Sequence, residues 1–348
     1  MHLRTWLVWI ASIVIVALST RNPLYLALIL LIVLVVSTRV IQVNGSTQPA
    51  WWWRFGLVVI PLSAVMNAVT VHFGDTVLFT IPGSIPLLSG IVTLEALVYG
   101  ALNGLVITVV IAAFSVFNLA VPAYQLVRST PRAFQSMGIT VGIALSFIPQ
   151  TMRRFREVRE AQAVRGHRVR SLRDWLPLWL PLLIGGLEQS TQLSEAMVAR
   201  GFGATQDRSA SIRTRALLAS GLGLVLVGWL WRFTIHLAFD VGALIMLVGT
   251  ALVVVGLWWS GRTVPHTVFR PQAFTPLDAI CLAVSVFITL LLLVPLSIFT
   301  LDSVNYYPYP ALSLPQFDPL LGLFMLGWLM PIVVLAWSSH MEDSKTKV

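Results

Sequence analysis

Glu160-Ala-Gln-Ala-Val-Arg165-Gly166 returns 35 residues later as Glu195-Ala-Met-Val-Ala-Arg200-Gly201, inside the only long polar island of an otherwise apolar chain. Each copy reads as a helix end. Glycine after helical residues is a left-handed stop, and an arginine in the last turn suits the partly negative C-terminus of a helix. Ala161, Ala163, Ala196 and Ala199 keep both helices thin just before they end. A thin tip can enter a groove, where its guanidinium can form a forked, charge-assisted pair with an acidic wall. A single such end reads as an ordinary solvated cap. Two near-copies on one basic loop read as two docking points for a soluble partner.

The rest of the composition says where that loop sits. Of the 348 residues, 57% are hydrophobic and 11% charged, and the mean hydropathy is +0.84. Soluble domains carry about 25% charge, so the chain reads as all-α and polytopic in the membrane. The lone Cys281 excludes an intrachain disulfide and a thiolate cluster, and its apolar surroundings make it a packing residue. Net charge is +9, but 14 of the 23 Lys and Arg fall between Arg128 and Arg215 and most others flank apolar runs. That is the positive-inside bias of a membrane protein. Basic residues interleaved with aromatics, as single-strand binders use them, are not evident, so no nucleic-acid partner is expected. His2 and Arg4 ahead of an apolar run resemble a signal peptide, but no small-residue cleavage site follows, and a retained first span is expected.

Apolar runs at 5–20, 23–38, 55–72, 91–118, 215–235, 241–260, 277–298 and 318–337 predict about eight transmembrane helices, a bilayer core needing about 20 helical residues. Asn22-Pro23 makes the first two a tight hairpin. With the N-terminus in the cytoplasm, the basic loops 39–54, 128–214 and 261–276 and the tail with Lys345 and Lys347 fall inside. Loops 73–90 and 299–317, with Asp75 and Asp302 and no Lys or Arg, fall outside. Arg21 and Arg232 alone lie against the bias. Trp51-Trp52-Trp53, Trp258-Trp259 and Tyr306-Tyr307-Pro-Tyr309 sit where interfacial aromatics belong. Three regions follow: N-terminal membrane helices (1–127), a cytoplasmic coupling-helix region (128–214) and C-terminal membrane helices (215–348).

Within 128–214, Phe134–Pro149 and Trp175–Leu187 are apolar, but crossing there would expel Arg-rich 153–173. Both are placed at the membrane surface or buried in protein. Met152, Phe155 and Val158 recur every three residues among Arg153, Arg154, Arg156 and Arg159, a one-sided helix with a cationic face running to Arg165. Ser171-Leu-Arg-Asp174 has capping-box spacing. A further helix is predicted from about Leu187 to Arg200, ended by Gly201 and Gly203. Elsewhere, Glu95 and Asp278 read as helix-start carboxylates, and Gly100-Ala-Leu-Asn-Gly104 as a close helix contact, with a separate membrane subunit as one candidate partner. His72, His236 and His266 lack ligand spacing, and no phosphate loop, HExxH or nucleophile elbow occurs. No catalytic residue, cofactor or metal is expected, and any ATP must be hydrolysed by another chain.

Paired Ala-Arg-Gly tips in a large cytoplasmic loop resemble the transmembrane coupling subunit, the T component, of energy-coupling factor (ECF) transporters. Ala199-Arg200-Gly201 matches the family motif in full; Val164-Arg165-Gly166 has Val where Ala is usual. Thr93-Leu-Glu95-Ala-Leu-Val-Tyr-Gly100 resembles the opening of the family's long middle span, and Phe147-Ile148-Pro149 resembles the approach to its first motif. The likeness covers about residues 1–235. It implies a subunit without catalytic residues in the plasma membrane of a prokaryote, both termini cytoplasmic. Val164, Arg165, Gly166, Ala199, Arg200 and Gly201 would dock two ABC ATPase subunits, and another surface would hold a small substrate-binding membrane subunit, the S component, for uptake of a vitamin or metal ion. The family has about one span after the second tip; here four are predicted, leaving 236–348 as extra scaffold or a fused portion. Three alternatives stand beside this reading. An ordinary ABC importer permease has one such loop per chain, not two. A membrane enzyme acting on lipid phosphates would need an arranged base or metal set near the arginines. A secondary transporter would want ionisable residues in mid-span.

Overall fold

The computed structural model describes residues 1–45, 51–81, 90–130, 134–167, 171–202, 212–234, 241–262, 274–293, 304–310 and 312–337. The helices are α1 (Leu3–Ser19), α2 (Pro23–Asn44), α3 (Trp52–Thr70), α4 (Leu94–Ala120), α5 (Ala123–Arg128), α6 (Gln135–Val164), α7 (Leu176–Ala199), α8 (Ile212–Thr234), α9 (Val241–Arg262), α10 (Pro276–Leu293) and α11 (Pro319–Met325), the last continuing helically to Trp337. One antiparallel ribbon, β1 (Val77–Ile81) with β2 (Gly90–Thr93), precedes α4, in register from Ile81↔Gly90 to Phe79↔Val92 with an irregularity before Val77↔Thr93. The protein is thus all-α apart from this ribbon. Among the described residues six helices are long and apolar enough to cross a membrane, and two shorter apolar helices, Leu3–Ser19 and Ala216–Trp231, lie at two further predicted spans.

The chain forms two compact units, residues 1–122 with 270–348, and residues 123–269. These limits differ from the boundaries at 127 and 214 expected from composition. The helices α10 and α11 group with the N-terminal helices, while α8 and α9 group with α6 and α7.

In the first unit α4 is central, packing against α1, α2 and α3. Asn22 caps α2 by accepting from the Leu24 amide at 2.9 Å, with Pro23 at the first helical position, so the hairpin turn costs no unpaired donor. The core joins Trp6, Trp9 and Ile13 of α1 to Leu26, Ile29 and Val33 of α2, Val109 and Val116 of α4, Ile288 of α10 and Trp328. Gly100 and Gly104 pack within the chain, against α3. A Cβ on Gly104 would lie 2.8 Å from Ile60 Cα, and one on Gly100 2.6 Å from the Ser63 carbonyl oxygen. The small-residue pattern therefore serves α3–α4 contact rather than a separate subunit.

Hydrogen bonds pin the C-terminal helices to the N-terminal ones. The buried Asp278 carboxylate accepts from the His2 amide (3.0 Å) and from the Thr275 hydroxyl (2.7 Å). Trp9 Nε1 donates to the Trp328 carbonyl (3.0 Å), Trp328 Nε1 to Ser12 Oγ (2.8 Å) and Ser12 Oγ to the Ser285 carbonyl (3.0 Å). The segment from 304 to 318 is tied down by Thr20, which donates to the Val304 carbonyl (2.8 Å), and by Asn22, which donates to the Gln316 carbonyl (2.7 Å). Val304, Leu321, Met325 and Trp328 are therefore part of the core. Arg21, against the charge bias by sequence, donates to Asn103 Oδ1 at 2.9 Å. Glu95, fully buried at the start of α4, accepts from the Thr76 amide at 3.1 Å, as a helix-start carboxylate should.

In the second unit α8 and α9 form an antiparallel hairpin lined by glycine at seven-residue intervals: Gly221 and Gly228 face Gly249 and Gly242. A Cβ on Gly249 would lie 2.8 Å from the Gly221 carbonyl oxygen, and one on Gly228 2.7 Å from that of Gly242. Close backbone approach is how membrane helices associate without a hydrophobic drive between them.

Gly104→Ala forces a Cβ into the Ile60 backbone and should destabilise the first unit by about 1–3 kcal/mol. Gly223→Ala, where a Cβ meets nothing within 4 Å, should leave stability unchanged or slightly raised. Thermal melts of the two variants in detergent, followed by size exclusion, compare them directly.

Candidate functional site

The two Arg-Gly ends belong to the second unit. α6 is one 30-residue helix that runs through Pro149, so the apolar stretch 134–149 and the cationic stretch after it are continuous. A proline inside a helix removes one backbone donor without obliging the chain to stop. α7 likewise joins 175–187 to 187–200 in one 24-residue helix, with Pro177 in its first turn and Pro181 inside. The separate helix expected from Leu187 is therefore the second half of α7. Pro177 lies in the first turn, where amides have no intrahelical partner to lose, and Pro181, inside the helix, forgoes one backbone bond.

Between them, the Ser171 amide donates to Asp174 Oδ2 at 2.8 Å, half of the expected capping box, around a short 3₁₀ turn, Leu172–Trp175. His167 Nε2 lies 2.7 Å from the Asp174 carbonyl oxygen, and Trp175 stacks on Phe155 with ring centroids 6.3 Å apart.

The helix ends share one geometry. At the first, the Gly166 amide donates to the Ala163 carbonyl (2.9 Å) and the His167 amide to the Gln162 carbonyl (3.0 Å). At the second, the Gly201 amide donates to Val198 (2.9 Å) and the Phe202 amide to Met197 (2.9 Å). Both are Schellman ends. Gly166 has φ +78° and Gly201 φ +79°, a left-handed conformation that an L side chain adopts only at a cost. Arg165 and Arg200 cap the helices with nearly the same backbone angles, φ −77°, ψ 5° and φ −88°, ψ 8°.

The tips are open. Among the described residues a Cβ on either glycine would meet nothing within 4 Å, and Arg165, Arg200 and Ala199 are exposed. Val164 is 89% exposed. The valine that departs from the usual alanine is thus a protruding apolar side chain on the first tip. All six residues singled out by sequence lie at the two tips.

α6 and α7 cross antiparallel. Arg154 donates to the Gly185 carbonyl at 2.7 Å, Gln189 donates to Gln150, and Ile143 and Phe147 share a cleft with Leu193 and Met197. Contacts that ascend α6 descend α7. From the Arg154–Gly185 contact, at 1.5 Å per residue, the first tip lies roughly 16 Å away along α6 and the second roughly 22 Å along α7, in opposite directions. Leu176, Trp179, Leu180, Leu183, Ile184 and Leu187 are all exposed along one side of α7, at the i, i+3, i+4, i+7 spacing of a single helical face.

Two neighbours of the tips escaped the sequence reading, His167 and Phe202. Each follows a Gly, and that position is where a Schellman end sends its last amide. Gly203, His236, His266, Asp302, Lys345 and Lys347 lie outside the described residues. Among the described residues no group of three His, Cys, Asp or Glu is placed to hold a metal ion.

The family model described as CbiQ, cobalt transport protein, matches residues 2–211. Among curated proteins none matches the chain. The matched segment takes in α1 to α7 and ends shortly after the second tip. A match over more than half of the chain, together with the eight apolar helices, makes this a multi-pass membrane protein for transport, and it belongs to the CbiQ cobalt transport protein family, the T-component family of energy-coupling factor transporters.

Proposed function

We propose that the chain is the coupling subunit of an ECF-type importer in a prokaryotic plasma membrane, with both termini cytoplasmic. It passes ATP-driven motion from two ABC ATPase subunits to a separate S component that binds a vitamin or metal ion. The observation that carries this reading is the matched pair of open Arg-Gly helix ends on opposite arms of one helix crossing. The tips present a cation, a thin helix and an unhindered backbone, the features that a groove with an acidic wall recognises. Each tip takes one ATPase subunit. Closure of the ATPases moves the tips, and the Arg154–Gly185 and Gln150–Gln189 contacts make α6 and α7 respond as crossed levers. The exposed apolar face from Leu176 to Leu187 is the surface assigned to the S component. An ordinary ABC permease needs only one such loop, so the second tip argues against it.

Affinity purification of the full-length protein, with mass identification of what accompanies it, tests the assembly: ATPase chains carrying phosphate loops and a small six-span membrane protein are expected. Arg165→Glu with Arg200→Glu should abolish recovery of the ATPases while the protein stays inserted and monodisperse. An exposed ion pair contributes only roughly 0–1 kcal/mol, but breaking one side of a buried pair costs about 3–5 kcal/mol. Full recovery of the ATPases by this variant counts directly against docking at the tips.

Gly185→Leu tests the lever. A Cβ there would already lie 3.3 Å from the Arg154 guanidinium, and a leucine displaces it from the Gly185 carbonyl. Vesicles carrying this variant complex should keep their ATPase chains and hydrolyse ATP but lose substrate uptake. Uptake at the wild-type rate per ATP would show that motion does not pass through the crossing.

A further inference from the structure

The two tips share a backbone but not their surroundings. At the first, the residue after glycine is His167, half-buried, with Nε2 at 2.7 Å from the Asp174 carbonyl oxygen. The carbonyl its amide meets belongs to Gln162, so that corner is polar. At the second, the same two positions are Phe202 and Met197. They open onto a cleft of about 300 Å³ between α6 and α7, floored by Ile143, Phe147 and Leu193. Phe202 is 43% exposed and Val198 68% exposed, so the cleft has an apolar mouth beside Arg200. Among the described residues that line it, Ser190 and Ser194 are polar.

We infer that this cleft receives an apolar side chain of the ATPase chain docked at Arg200-Gly201, so that the second tip holds its partner far more tightly than the first. The inference rests on the docking role proposed above and adds to it an inequality between the tips. The occupant follows from position. The cleft is continuous with the tip through Val198 and Phe202, so a chain pairing with Arg200 lies across its mouth. Its volume suits one or two side chains. An apolar group buried there beside a charged pair is the arrangement of an interface anchor, where a few central residues carry most of the binding energy. The first tip offers Val164, 89% exposed, as an apolar contact, and the residues at its Schellman closure, Gln162 and His167, are polar. Its arginine orients a subunit without an anchor to retain it.

The test uses the full-length protein in lipid nanodiscs and, as probe, the ATPase chain that accompanies it, purified separately and titrated. Phe202→Ala removes one wall, and Ser194→Phe fills the cleft. Each should weaken binding at least about tenfold, while His167→Ala changes it by less than about threefold. Phe202→Leu should restore most of the affinity, which separates anchoring from folding, and all variants should match the parent in elution and melting. Phe202→Ala and Ser194→Phe binding within about threefold of the parent would overturn the inference, as would an equal loss from His167→Ala. So would a change in the particle's mass with ATPase affinity intact, which would make a second copy of this chain the occupant. If Arg165→Glu with Arg200→Glu binds ATPase at the parent's affinity, the docking role itself fails, and the two failures are told apart.

Discussion

A pair of backbone hydrogen bonds governs how this protein ends its two long arms: His167 amide to Gln162 carbonyl, and Phe202 amide to Met197 carbonyl. Each closes a helix by turning the chain back on its last turn, and each is possible only because a glycine tolerates the left-handed step before it. The closure satisfies carbonyls that would otherwise need water or a partner. It leaves the arginine on the cap, aligned with the negative end of the helix, and among the described residues nothing lies within 4 Å of where a Cβ would stand on either glycine. Without that step the helices would fray or run on, and the cations would sit on a cylinder wall instead of at its point.

Residues 270–337 show a different economy. They lie beyond the matched family segment, yet Asp278, Ser285 and Trp328 engage α1 through its N-terminal amide, Ser12 and Trp9. Polar pairs between apolar helices fix register where packing among similar side chains does not, since lipid is as apolar as leucine. An unpaired carboxylate or indole in such a core would cost several kcal/mol, so these contacts select one arrangement of α1 against α10 and the last helix. The C-terminal helices therefore complete the N-terminal bundle.

What could be read in the sequence follows from which signals are local. Apolar runs marked the apolar helices found among the described residues, because a spanning segment must satisfy its own backbone. Gly166 and Gly201 marked the helix ends, because left-handed residues are nearly always glycine. The six tip residues followed from their near-repeat. Continuity was harder. The change from apolar to polar composition near 149 and 187 suggested separate segments, yet α6 and α7 each run through it, joined by contacts such as Phe155 on Trp175 and Arg154 on the Gly185 carbonyl. The return of 270–348 to α1 was invisible, since its determinants are pairs some 270 to 320 residues apart. Gly100 and Gly104 announced a close contact but not its partner: a small-residue stripe says that a backbone approaches, and only the fold says which. Phe202 and His167 were missed because a helix end was read as stopping at its glycine, whereas the next residue decides the chemistry around it.

The crossing of α6 and α7 adds an asymmetry of its own. In a lever, the rotation produced by a given tip displacement varies inversely with the arm. Measured from the Arg154–Gly185 contact, the arms are roughly 16 and 22 Å, so equal displacements of the two tips would turn α6 through a larger angle than α7. In the proposed mechanism the longer arm also carries the apolar cleft, and the shorter one ends in the polar corner around His167. A firmly held long arm has the leverage to transmit torque, and a lightly held short arm can swing through the greater angle without dragging its subunit. Inequality of flank and inequality of arm then act together: one tip bears the load, and the other sets how far the crossing opens.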